Sequence, residues 1–151
     1  MSDGWLLHRQ TGARCPHPDG WTTGEVHGAG MAALGPAHDG DFHASLVLTV
    51  VPNGGLTFAQ WQAHSDRLLP VRLRDYELVD LKKCRVAGVP GGQRLSRHRT
   101  VEGHLLLLHQ WFCAPSGVGV TLSATCAISS YVEVEAHARD AAAGLHLPGG
   151  W

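Results

Sequence analysis

The chain has 151 residues, 44% of them hydrophobic and 17% charged, and 12 lysines and arginines against 13 acids leave a formal net charge of −1. That suits a packed globular core and excludes collagen-like, coiled-coil and strongly charged disordered chains. A balance so near neutrality offers no global field to a polyanion.

The start, Met1-Ser-Asp-Gly-Trp5 followed by His8 and Arg9, has neither a basic leader nor an apolar signal core. The longest apolar runs, Leu46–Val51 and Leu105–Leu108, are too short to span a bilayer. The expectation is a cytoplasmic protein without membrane insertion, with Cys15, Cys84, Cys113 and Cys126 as reduced thiols.

Pro18-Asp19-Gly20 reads as a turn delivering Trp21, Met31–Leu34 as a short strand, and Asp39-Gly40 as another turn. Phe42–Val51 alternates with apolar residues in both registers, the pattern of a central strand covered on both faces. After Pro52-Asn-Gly-Gly55, Thr57 is a helix N-cap, with Phe58, Trp61, Ser65, Leu68 and Leu69 at helical spacing and Pro70 as its stop or kink. Tyr76–Val86 alternates as a half-buried strand, and Gly88–Gly92 is a loop. Gln93–Val101 and His104–Cys113 form a hairpin across Glu102-Gly103, and Val118–Ala127 is a further strand. Ser129 or Ser130 caps a last helix reaching Gly144, with Val132, Ala138, Ala142 and Leu145 as its apolar side and a frayed tail behind it. Hairpin-length connections imply an α+β domain over residues 1–151. It has an antiparallel sheet of about six to seven strands carrying two main helices.

Residues 67–99 hold nine of the twelve basic residues and three of the thirteen acids. Lys82, Lys83, Arg85, Arg94, Arg97 and Arg99 are therefore a candidate patch for an acidic protein partner. Without interleaved aromatics and in a near-neutral chain, nucleic acid is not the expected partner. The eleven histidines and the Cys15-x-His17 pair raise a metal reading, but no compact ligand pair such as His-x-x-x-His is present. No metal site or cofactor is therefore assigned. The alternative function is a metal- or thiol-dependent enzyme using the His-rich N-terminal half and Cys84, whose neighbours Lys82, Lys83 and Arg85 favour a thiolate. Asp39 and Asp41 are a possible carboxylate pair in a Gly-flanked loop.

His104–Cys113 is apolar on both faces, either because helices cover both or because one face stays open for an apolar segment of a client. Leu46, Leu48, Leu106, Leu108 and Phe112 are the candidate client-binding set, with the opposite set of alternate positions as the other choice.

A series of short motifs runs in order along residues 15–147: Pro18-Asp-Gly-Trp21, the Phe42–Val51 strand ending in Pro52-Asn53, Leu56-Thr-Phe-Ala59, Tyr76-Glu-Leu-Val-Asp80, Gly88-Val-Pro-Gly-Gly92, Gln110-Trp-Phe112 and Val120-Thr-Leu-Ser-Ala-Thr125. Together they resemble the Mog/PsbP-like superfamily, with LpqN/LpqT-like proteins and Eag-type chaperones among its members, and an actinobacterial member in particular. The resemblance implies an antiparallel sheet with helices on its faces and no catalytic set. It also implies a protein-binding chaperone or adaptor for a secreted or membrane-associated client, acting as a homodimer.

Overall fold

The computed structural model describes residues 4–26, 30–36 and 42–148. The turn expected at Asp39-Gly40, the Asp39/Asp41 pair and the tail beyond Pro148 lie outside them. Among the described residues the order is β1 (Trp5–Leu7), β2 (Arg14–Pro16), β3 (Thr22–Val26), β4 (Gly30–Leu34), β5 (Ser45–Pro52), α1 (Phe58–Arg72), β6 (Arg74–Val86), β7 (Val89–Arg99), β8 (Leu105–Cys113), β9 (Val118–Ala127), a 3-10 turn at Ile128–Ser130, and α2 (Tyr131–Ala143). Seven strands form one antiparallel sheet in the order β3-β4-β5-β9-β8-β7-β6, and β1 pairs with β2 as a separate ribbon. The expected α+β architecture with two helices is what the chain adopts.

Register assigns the faces, because residues directly opposite one another on paired strands point the same way. One row runs Met31, Leu48, Leu122, Trp111, Gln93, Lys82, and a neighbouring row runs Ala33, Leu46, Ala124, His109, Leu95, Asp80. This face carries the main core: Leu46, Leu48, Val50, Val120, Leu122, Trp111 and Cys113 pack with Val134, Ala138 and Ala141 of α2 and with Leu6 and Cys15 of the ribbon. Of the expected apolar side of α2, Ala138 and Leu145 are buried, while Val134 and Ala141 take the places of Val132 and the half-buried Ala142. Val134, Ala138, Ala141 and Leu145 are buried, whereas Val132 is 84% exposed.

The opposite face carries α1. Its start is fixed by a capping box, in which the Thr57 hydroxyl accepts from the Gln60 amide and the Gln60 side chain accepts from the Thr57 amide. Pro70 is inside the last turn rather than the terminator, and Leu73 closes the helix by donating to Leu69 O. Trp61 is the one buried residue of α1. It lies against Phe112 and over Gly119, where a Cβ would overlap the indole. Phe58 stacks on Phe112 at 5.8 Å.

The two covering layers are offset. The helix α2 and the ribbon cover β4, β5, β9 and β8 on one face, while Glu77, Asp80 and Lys82 of β6 stay exposed there. On the other face α1 covers the β7–β8 side, and the outward residues of β5 stay half-buried. The expectation that Phe42–Val51 is covered on both faces therefore holds for one face. The loop expected over Gly88–Gly92 is instead a two-residue turn, Ala87-Gly88, followed by the strand itself. Gly91 and Gly92 belong to β7 because Phe112 and Val86 fill the space a side chain would need.

Candidate docking face and arginine cleft

Three cross-strand rows floor the face that α1 crosses. The middle row is Gly24, Ala32, Val47, Ser123, Gln110, Arg94, Leu81. The flanking rows are Val26, Gly30, Thr49, Thr121, Phe112, Gly92 and Thr22, Leu34, Ser45, Thr125, Leu108, Ser96. The helix lies over the Phe112 and Arg94 ends of these rows. Beyond it Ala32, Ser45, Val47, Thr49, Thr121, Ser123 and Thr125 are half-buried and Leu34 is 48% exposed. Among the described residues no helix covers this half, a bare floor of small and β-branched side chains with α1 as one bank.

At the boundary between helix and floor sits Arg94, only 2% exposed. Its guanidinium pairs with Asp66 of α1, donates from Nη1 to Gln110 Oε1 at 3.2 Å and lies 4.6 Å over the Phe112 ring. Gln110 Nε2 in turn reaches Ser123 Oγ at 3.1 Å, so one chain of contacts links α1 to the bare floor. Arg94 Nε is buried without an acceptor. A cleft of about 120 Å³ opens here, between Trp61, Ser65, Leu68, Leu69 and Arg72 of α1 and Arg94, Gln110, Phe112 and Thr121 of the sheet.

The five candidate client-binding leucines and phenylalanine do not form one surface. Leu46 and Leu48 are fully buried beneath α2 and the ribbon, whereas Leu106, Leu108 and Phe112 lie on the opposite face at 3%, 7% and 2% exposure. Of the two readings of β8, coverage of both faces is the one the structure shows, since no residue of the strand is exposed. The opening lies farther along the sheet, on β4, β5 and β9.

The basic stripe also divides. Lys83, Arg85 and Arg94 point to the α1 face, and Lys82, Arg97 and Arg99 to the other. Arg97 pairs with Glu77 at 2.7 Å, Arg99 lies 4.0 Å from Asp75, and Arg85 bonds the Gly88 carbonyl. A single basic patch does not result.

Cys84 shares its face with Cys113 across Gly91. Burial pushes its thiol up, and Lys82 only partly offsets this, the reverse of the expected thiolate. Burial likewise raises Cys15 and Cys113 to about 12 and Cys126 to about 11. Among the described residues, no group of three or more His, Cys, Asp or Glu is placed to hold a metal ion. His98 and His109 point to opposite faces, and His104 lies exposed before β8.

His109, buried as His8 is, was not singled out from the eleven by composition. It stacks on Trp111 with centroids 4.1 Å apart, and Gln93 Nε2 donates to its Nε2 at 2.6 Å. The ring proton therefore resides on Nδ1, which is buried without a partner. Burial lowers its pKa, with the Glu135 carboxylate opposing the shift. No helix among the described residues is long and apolar enough to cross a membrane.

In sequence, no family model and no curated protein matches the chain. Solved structures do match it. LpqN of Mycobacterium tuberculosis, involved in cell envelope biogenesis, superposes with a TM-score of 0.68 at 17% identity over 90% of this chain and 83% of that one. The Ran-binding protein Mog1p of Saccharomyces cerevisiae gives 0.65 at 11% identity over 97% and 96%. Cyanobacterial PsbP (CyanoP) of Synechocystis sp. PCC 6803 gives 0.62 at 14% identity over 98% and 95%. These likenesses show one shared architecture, and the chain has the Mog/PsbP-like fold.

Proposed function

We propose that the protein is a non-enzymatic binding module, an adaptor or chaperone. Its partner docks on the bare half of the α1 face. The observation that carries this reading is the offset of the two layers. Helix α1 covers the β7–β8 side and leaves Ala32, Val47, Thr49, Ser123 and Thr125 as an uncapped floor. Small floor residues let another backbone approach closely, and α1 supplies a bank against which a second helix lies by ordinary helix-on-sheet packing. The fitting partner is an amphipathic helical segment, with apolar side chains on Ala32 and Val47 and polar ones on the Ser and Thr hydroxyls. The fold shared with the Ran-binding Mog1p supports protein binding over catalysis. The raised Cys84 thiol takes away the support for a thiolate enzyme.

A photocrosslinking amino acid placed at Thr49 or Ser123, and separately at Lys82 on the other face, tests the assignment in cells. Adducts to one discrete partner from positions 49 and 123, with none from 82, are expected. Adducts from position 82 alone would overturn it.

A further inference from the structure

We infer that the cleft between α1 and the sheet is a receptor for a monocarboxylate with a short apolar body, held by Arg94 and Arg72. This goes beyond the docking face and does not depend on it. The first ground is the state of Arg94. A guanidinium buried to this degree is stable when all its donors are met. Nη1 and Nη2 make one bond each, to Gln110 and Asp66, and each carries a second N–H beyond that bond, while Nε is sealed inside with no acceptor. Arg94 lines the cleft, and a ligand oxygen there takes a remaining Nη N–H.

The second ground is charge and wall chemistry. Arg94 and Arg72 both line the cleft and outnumber Asp66 by one charge, so an anion of charge −1 brings the group to neutrality. Ser65 and Thr121 contribute hydroxyl donors, and Trp61, Leu68, Leu69 and Phe112 contribute apolar wall. Water is able to accept from the Arg94 Nη groups, but it leaves that wall wetted. The volume, about 120 Å³, is near that of cavities that take a single benzene-sized group, so the ligand's body is one ring or one branched chain. The same chemistry is offered by a free carboxylic acid and by the C-terminal carboxylate of a polypeptide ending in an apolar residue.

The test uses the intact protein and nuclear magnetic resonance, reading the Trp61 indole N–H, which Trp61→Phe identifies. Isovalerate and phenylacetate are titrated beside their neutral amides. So are short peptides ending in valine as the free acid or as the amide. Saturable shifts by the acids and none by the amides are expected. Arg72→Gln, at an exposed position, should weaken the acids by about tenfold without changing the amide responses. Tighter binding of the free acids marks a metabolite-sized ligand, and tighter binding of the peptide acid marks a polypeptide terminus. Either supports the site. Equal response to acid and amide, or no saturation into the millimolar range, overturns it, as does an Arg72→Gln variant that binds unchanged. Loss of the docking adducts with carboxylate binding intact refutes the docking reading alone.

Discussion

The indole of Trp61 rests on Gly119, with no room between them for a methyl group. Gly119 sits within β9, where glycine costs strand stability, and its place is explained by the close approach of α1. Since Trp61 is the one buried residue of α1, this contact does most to seat the helix on the sheet. Gly119→Ala is expected to cost about 1–3 kcal/mol by overpacking. Urea denaturation with an unchanged slope checks it. A loss below the error of extrapolation would show that the helix shifts freely.

The Asp66–Arg94 pair joins a nearly buried cation to a half-exposed anion, with side chains 3% and 37% exposed. Removing the anion leaves the cation without its counter-charge, so Asp66→Asn should destabilise by about 1–3 kcal/mol, less than a fully buried pair would lose. Arg94→Met takes away the buried charge together with the pair and should cost less than Asp66→Asn. If the order of the two variants in thermal or chemical unfolding is reversed, the guanidinium is better solvated than its burial indicates.

His109 sets a pH dependence whose sign follows from its lowered pKa. The unfolded chain takes up a proton as pH falls through 6.5, and the folded chain resists it. Stability is therefore fully present above 6.5 and declines below it, until the folded imidazole is protonated too. His98, lowered by burial as well, acts in the same direction. The groups of α2 and β6 that act on His109 are Glu135 and Asp80, which favour its charged form, and Arg139 and Lys82, which oppose it. His109→Gln should flatten the profile in part, and unfolding free energies measured across that pH range decide it. A profile unchanged by the substitution would assign the acid sensitivity to other groups.

Alternation within single strands was the most legible feature of the sequence. Val118–Ala127 is β9 residue for residue, and Thr57 is the N-cap of α1. Period-two alternation says which residues of one strand share a face, but not which face that is on the next strand. Leu46 pairs with Ala124 and Leu106 with Ala127. Those two alanines are an odd number apart, so the leucines point opposite ways. Only the register carries that information, and the candidate site depended on it. The ribbon strands β1 and β2 are three residues each, too short for any periodicity, and β3 is exposed at every position. Arg94 read as one member of a basic stripe, because burial and the partner on α1 arise only in the tertiary structure.

The contacts from Arg94 through Gln110 to Ser123 also have a direction. A guanidinium only donates, so Gln110 must turn its oxygen toward Arg94 and its amide N–H toward Ser123. Ser123 Oγ is thereby committed as an acceptor, and its own hydroxyl proton is left to point elsewhere. The buried cation on β7 thus sets the polarity of a hydroxyl two strands away on the bare floor. What that hydroxyl offers a partner is a donor, fitted to a carbonyl or carboxylate oxygen.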